Sequence, residues 1–237
     1  MKGIKNDPDR QSEPTYPIRN FLLKKIVKKY KNFNYTNLLW KAMVCCAKGF
    51  ALRCGEYTPN SKKPTKRTLK WKDLNFHTYN GHQYLSITLR ETKTNKTKKT
   101  EILTRKCLCA CHSLKPICAV CTLKTFKTFS KLKFKSSRNS YVFLNSNGTL
   151  VTGDEFRAEL KQALIFIGIK NPKFPYWRAH SLRHGEITDL IAAGVPIELV
   201  RKYARHVPKS PTTFLYIQLE TDEEAKLVAK KFEKYFR

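Results

Sequence analysis

A tyrosine, two arginines, two histidines and a lysine in this chain form a set suited to attacking a phosphodiester. His180-Ser-Leu-Arg183 places an imidazole and a guanidinium one helical turn apart, His206 follows, and Tyr216 comes ten residues later. Upstream, Arg53 precedes Glu56 by three residues, and a lysine-rich hairpin runs from Arg90 to Lys106. Cleaving a phosphodiester without a metal needs a nucleophile, positive charge on the non-bridging oxygens, a base, and an acid for the leaving oxygen. Tyrosine can serve as a covalent nucleophile. Its hydroxyl titrates near about 10, so it needs a base or cationic neighbours. Arginine donates two parallel hydrogen bonds to a phosphate, and two arginines can stabilise the transition state electrostatically. Histidines assist proton transfer, and a hairpin lysine can protonate the departing oxygen. No DxDxG loop, HExxH or carboxylate cluster offers a site for metal-dependent hydrolysis, and no GxxxxGK[ST] offers a nucleotide site.

The rest of the chain is charged to match a polyanion. It has 237 residues, with 47 Lys and Arg against 18 Asp and Glu, for a net charge of +29. From Ile102 to Gly153 there is no acidic residue, while nine Lys and Arg occur. Such an excess opposes compaction by self-repulsion, and a nucleic-acid partner explains it better than a merely solvated basic face. Affinity for that partner should fall steeply with salt. Nothing resembles a long apolar span or an N-terminal signal peptide, so the reading is no membrane and no secretion. About two fifths of the residues are apolar, with 14 Phe and 11 Tyr, so a real core is expected.

Eight cysteines without a secretion signal argue for a reducing compartment and free thiols. Five crowd into Cys107-Leu-Cys109-Ala-Cys111-His112 and Cys118-Ala-Val-Cys121. Tetrahedral zinc needs four soft ligands, and Cys109, Cys111, Cys118 and Cys121 are the set that could supply them. The irregular spacing and short intervening loop favour the other reading, in which no metal binds and the thiols are buried or exposed as such. Cys45, Cys46 and Cys54 fall in an apolar helix and read as core.

The elements that must position these groups are mainly helical. Residues 1–16 read as a polar tail. Pro17 opens a helix with Ile18, Phe21, Leu22, Ile26 and Tyr30 on one face, and a second helix runs from about Tyr35 to Arg53. From Arg67 to Leu103 the period changes to two: a strand through Leu69, Trp71, Leu74 and Phe76, a turn ending in Asn80-Gly81, a strand over Tyr84–Leu89, and a return over Thr100–Leu103. Leu123–Phe129 reads as a helix, Tyr141–Leu144 as extended, and Asn145–Gly148 as a turn. Thr152 and Glu155 form a capping box for a helix running to about Ile167. Helices follow over Ser181–Ala193 and Ile197–Ala204, broken at Gly194. A second capping box at Thr221–Glu224 opens a final helix. The class is mainly α with a small antiparallel β-sheet (α+β).

These motifs, in this order, resemble the catalytic domain of the tyrosine recombinases, the phage-integrase type. Ala51-Leu-Arg53-Cys-Gly-Glu56 matches the first motif, and His180-Ser-Leu-Arg183-His184-Gly185 the second. Gly194-Val, Val200, Ala204-Arg-His206 and Tyr216-Ile match the approach to the nucleophile. Thr92-Lys93-Thr94 sits where that family places its β-hairpin lysine. The likeness covers roughly residues 17–216. Lys93-Thr, Ile117-Cys-Ala-Val-Cys and Ala179-His-Ser-Leu-Arg look most like recombinases of eukaryotic mobile elements of the Crypton and DIRS kind, with a viral or bacterial integrase as the alternative.

The resemblance implies a division of labour. Tyr216 attacks the scissile phosphate and forms a 3′-phosphotyrosyl link; Arg53 and Arg183 hold the phosphate. His180 and His206 assist proton movement, Lys93 is the general acid, Glu56 orients Arg53, and His184 supports the site. Lys96, Lys98, Lys99, Arg178, Arg205 and Lys209 are the expected contacts to double-stranded DNA. A homo-tetramer on paired DNA sites is implied, acting without metal or ATP, in a nucleus if the host is eukaryotic and otherwise in the cytoplasm. Residues 17–220 form the catalytic domain and 221–237 a C-terminal helix that either docks on a neighbour or packs at home. The family's N-terminal DNA-clamping domain has no counterpart ahead of Pro17, so the expectation is either a fragment or a grip through the catalytic domain and tail alone. Two departures stand out: the interval from His206 to Tyr216 is one residue longer than the commonest pattern and contains Pro208 and Pro211, and the cysteine segment lengthens the stretch from Arg53 to His180. The rival readings are an inactive DNA-binding derivative, a type IB topoisomerase-like relaxase, and a zinc-dependent nucleic-acid module centred on Cys107–Cys121.

Overall fold

The computed structural model describes residues 15–90, 100–112, 114–170 and 177–206. Its elements are α1 (Asn20–Lys28), α2 (Tyr35–Gly49), α3 (Cys54–Tyr57), β1 (Leu74–Tyr79), β2 (His82–Leu89), β3 (Glu101–Lys106), α4 (Ala119–Phe134), α5 (Gly153–Phe166), α6 (His180–Ala192) and α7 (Ile197–Ala204). The mainly helical class with a small antiparallel sheet is therefore observed. No helix among the described residues is long and apolar enough to cross a membrane.

The centre of the fold is α2. Asn34 caps it by accepting from the Asn37 amide at 2.9 Å. Every residue from Ala42 to Lys48 is buried, so this helix is enclosed on all sides rather than amphipathic. It packs against α4 and α6. The helix ends at Gly49, four residues before the expected end at Arg53. The Leu52 amide bonds back to the Ala47 carbonyl at 2.8 Å, and Ala51 adopts a left-handed φ of 46°. A β-carbon makes that conformation costly by roughly 1–2 kcal/mol. What holds it is tertiary, as the functional site shows.

The sheet has the order β1-β2-β3, antiparallel throughout. Asn80 and Gly81, with φ of 47° and 73°, make the two-residue turn that Tyr79↔His82 pairing requires. Leu85, Ile87 and Leu89 of β2 face the core. The expected strand through Leu69 and Trp71 is instead a β-bridge at Lys70 and a short 3-10 turn over Trp71–Asp73, with the strand beginning at Leu74. Asp73 explains the difference: its carboxylate accepts from the Lys70 amide at 2.8 Å and tightens the chain there. The connection from β2 to β3, residues 91–99, lies outside the described residues.

The remaining helices follow their local signals closely. The Thr152–Glu155 capping box forms: Glu155 accepts from the Thr152 amide at 2.8 Å, and the Thr152 hydroxyl accepts from the Glu155 amide at 3.3 Å. Gly194 breaks α6 from α7 with φ of 75°. Helix α4 is longer than expected, because it starts at Ala119, within the cysteine segment, and continues to a left-handed Lys135. Phe21 is exposed, not part of the apolar face; Ile18, Ile26 and Tyr30 are buried as expected, joined by Leu23 and Val27. The expected helix at 221–237 lies outside the described residues.

A cationic candidate active site

The break after α2 brings the site together. Because Ala51 is left-handed, its carbonyl leaves the helix direction. It accepts from Arg183 Nη1 at 2.6 Å and from Arg205 Nη2 at 2.9 Å. Arg53, two residues on, caps α3. Its backbone amide donates to Glu56 Oε2 at 2.7 Å, and its Nη1 donates to Glu56 Oε1 at 3.1 Å. Its Nη2 reaches across 152 residues of sequence to the Arg205 carbonyl at 3.0 Å. Arg183 also donates to the Ala204 carbonyl. The two arginines singled out in the sequence therefore converge on the same short turn at the end of α7, and the expected orienting role of Glu56 has a direct geometric counterpart.

Burial divides the two. The Arg53 side chain retains 22% of its exposure, whereas Arg183 retains 1%. A buried guanidinium must be hydrogen-bonded or paired. Arg183 bonds to two backbone carbonyls, those of Ala51 and Ala204.

Both imidazoles register that charge. His180, at the surface end of α6, has its pKa pushed down to about 4, by reduced hydration first and then by Arg183, Arg178 and Arg53. His206, half-buried just beyond α7, is pushed down to about 3 by burial and then by Arg183, Arg53, His180 and Arg205. Both rings are therefore neutral at neutral pH and able to accept a proton. His184 is buried one turn along α6, and desolvation followed by the nearby His180 pushes it down to about 4.

Arg205 corrects the sequence reading. It was expected to contact DNA, but it is only 8% exposed. Its left-handed φ of 55° ends α7 and turns the side chain inward. There it pairs with Glu56 Oε2 at 2.7 Å and lies 3.6 Å from Glu101 Oε2 at the start of β3. One carboxylate, Glu56, thus braces both Arg53 and Arg205. Arg178 is half-buried and close enough to influence His180. Tyr216, Lys93, Lys96, Lys98, Lys99 and Lys209 lie outside the described residues.

A second polar cluster escaped the sequence reading. Lys48 is 1% exposed and bonds to Glu186 at 2.9 Å and to Asp189 at 2.7 Å. Arg105 pairs with Glu186 at 2.7 Å, and Arg19 with Asp189 at 3.0 Å. The signal was present: Lys48 is a lone charge in the apolar run from Ala42 to Gly49. Gly185, between the two clusters, is fixed by packing. A β-carbon there would lie 2.0 Å from the Ile18 carbonyl oxygen. That contact also lets the Ile18 amide bond to Ser181 O at 2.8 Å, closing α1's approach onto α6.

The cysteines group differently from expectation. The sulfurs of Cys107, Cys109, Cys118 and Cys121 lie within 4.8 Å of one another. Cys111 is exposed and outside that group. Cys107 replaces it because the Cys107 amide continues the β-ladder, donating to Gln83 O at 2.8 Å, which aims the chain at α4.

Known proteins share this fold. The chain is 28% identical over 117 residues to the probable integrase/recombinase protein MJ0367 of Methanocaldococcus jannaschii, covering 48% of this chain and 35% of the relative. Its fold matches the XerH site-specific recombinase bound to palindromic difH substrate in a post-cleavage complex. The TM-score is 0.64 at 18% identity, covering 96% of this chain and 57% of that one. XerA recombinase matches at a TM-score of 0.59 and 14% identity, covering 95% and 66%. The Tn1549 transposon integrase, in complex with circular intermediate DNA, matches at 0.51 and 14% identity, covering 87% and 63%. At these identities the likeness establishes the fold, and the chain spans less than two thirds of each of these proteins. The phage integrase family model matches residues 20–223, a span that runs from α1 through the Arg53 turn and both clusters on α6 to beyond His206. With that match extending over most of its length, the chain belongs to the phage integrase family, the tyrosine recombinases.

Proposed function

We propose that this protein is a DNA strand-transfer enzyme, a site-specific recombinase or transposon integrase that works through a 3′-phosphotyrosyl intermediate without a catalytic metal or ATP. The observation that carries the reading is the convergence of Arg53, Arg183, His180 and His206 around one turn, with both arginines bonded to carbonyls of that turn and both acting on the two imidazoles. In this reading a scissile phosphodiester binds there. Arg53 meets it from the open side and Arg183 from beneath, taking the part that a divalent ion plays elsewhere.

In this reading Tyr216 Oη attacks phosphorus. Its proton passes to an imidazole, His180 or His206, both of which are neutral at neutral pH. The P–O bond to the 5′ oxygen breaks as the tyrosyl P–O bond forms, and Lys93 protonates the leaving oxygen. Rejoining reverses these steps with a new 5′ hydroxyl. The partner is double-stranded DNA, and paired sites call for a tetramer.

Covalent trapping tests the reading. The protein is incubated with nicked duplexes pooled from its source DNA, without added metal, and run on a denaturing gel beside Tyr216→Phe. A DNA-linked band in the wild type that is lost in the variant is the expected result. Tight, salt-sensitive binding with no covalent band would replace the enzyme by a DNA-binding derivative of the family.

A further inference from the structure

We propose that Cys107, Cys109, Cys118 and Cys121 hold a structural zinc ion in a tetrathiolate site that staples β3 to α4. The four sulfurs lie within 4.8 Å of one another. Measured pairs are 3.7 Å for Cys107 and Cys118, 3.4 Å for Cys107 and Cys121, and 2.7 Å for Cys109 and Cys121. A regular tetrahedron with Zn–S bonds of about 2.3 Å has S···S edges of about 3.8 Å, so a small outward adjustment admits the ion. All three pairs exceed the roughly 2.05 Å of a disulfide bond.

The surroundings suit thiolates. The Leu108 amide donates to Cys118 Sγ at 3.3 Å and the Cys109 amide to Cys107 Sγ at 3.4 Å. Backbone donors of this kind orient ligand sulfurs and stabilise their charge. Cys118 is the N-cap of α4 and Cys121 lies in its first turn, where the helix dipole favours negative charge. Lys106 and Lys115 flank the ligands in sequence and offset the net negative charge of a tetrathiolate centre. A cavity of about 450 Å³, lined in part by Tyr30, Phe33, Leu38, Lys41, Cys109 and Cys121, opens beside the sulfurs and provides a path for the ion.

The placement explains what the ion does. Cys107 follows the last residue of β3, and Glu101 at its first residue faces Arg205. The two ends are separated by roughly 17 Å of strand. The ion anchors the far end of the strand that leads out of the β2–β3 connection, and α4 carries the restraint to α2 and so to the Arg53 turn. It braces the site without taking part in phosphoryl chemistry.

The test uses the full chain purified under reducing, zinc-replete conditions. Elemental analysis is expected to give one equivalent of zinc. Replacement by cobalt is expected to give the intense visible absorption of a tetrahedral thiolate centre. Cys109→Ser and Cys121→Ser each weaken that absorption, whereas Cys111→Ser leaves it unchanged, and chelation lowers the melting temperature. Metal-free protein whose four thiols react freely, a Cys109–Cys121 disulfide in the reduced preparation, or loss of metal in Cys111→Ser would each overturn the assignment. The cobalt spectrum of the wild type decides the matter even if a serine variant fails to fold.

Discussion

Helix α6 carries two clusters of buried charge, and they are built on opposite principles. Toward its C-terminal half, Glu186 is held by Lys48 and Arg105, and Asp189 by Lys48 and Arg19. Each carboxylate there has two cations, so the cluster is closed. Toward its N-terminal half, Arg183 bonds to the Ala51 and Ala204 carbonyls, Arg53 to the Arg205 carbonyl, and Glu56 alone is shared between Arg53 and Arg205. Backbone carbonyls satisfy a guanidinium's donors. The imidazoles of His180 and His206 are depressed by burial first and then by these arginines. The first network is scaffold; the second borders the candidate site.

The contrast is sharpest in what each cluster loses when a cation is removed. Lys48→Met strips both carboxylates of their shared partner and is expected to cost about 3–5 kcal/mol in urea denaturation, because buried carboxylates are left under-compensated. It should leave the titration of His206 unchanged; a shifted His206 would mean the two clusters are one. Arg53→Gln is expected to behave in the opposite sense. Covalent trapping should slow by about 10²–10³-fold, the effect of losing one transition-state donor, with a smaller loss of stability than Lys48→Met. A variant that unfolds but cleaves normally per folded molecule would break the assignment of Arg53 to the site.

Gly185 lies at the boundary and tests whether one helix serves both. With a backbone oxygen 2.0 Å from an added β-carbon, neither side can yield cheaply. Gly185→Ala is expected to cost about 1–3 kcal/mol by overpacking, read from a melting curve, and to slow trapping through displacement of His180 and Arg183. Trapping at wild-type rate would show that the N-terminal turn holds its geometry without that contact.

The finest test is titration. NMR should find His180 and His206 neutral at pH 6, with pKa values near about 4 and about 3. Arg53→Gln should raise both, since Arg53 lowers each. These folded values lie below the unfolded value of about 6.5, so the unfolded chain takes up protons first as the pH falls. Stability should therefore decline from about pH 6.5 downward and level off near the folded pKa values. Imidazoles that titrate near about 6.5 in the folded protein would show that neither burial nor the arginines act on them.

Local chemistry made part of this molecule legible. The Thr152–Glu155 box, the Asn80-Gly81 turn and the Gly194 break are satisfied by residues within a few positions of each other, and they form where the sequence puts them. His180 and Arg183 were legible for the same reason, as neighbours one turn apart. Ala51 was not: alanine favours helix, and the residues around it suit a continuation to Arg53. Arg205 read as an exposed cation because its inward turn depends on Glu56, 149 residues away. Lys48 likewise finds Glu186 only across 138 residues.

What the sequence determined by itself is the inventory and its order: the basic charge, the helix-sheet-helix progression, and the ordered arginine, histidine and tyrosine motifs. Those follow from composition and short-range periodicity, which need no knowledge of packing. Only the tertiary structure decided which cations bond to backbone carbonyls, that Arg205 is a brace, and that Cys107 rather than Cys111 joins the sulfur cluster. Each of those outcomes depends on burial and on partners distant in sequence, and burial is a property of the packed chain rather than of any segment of it.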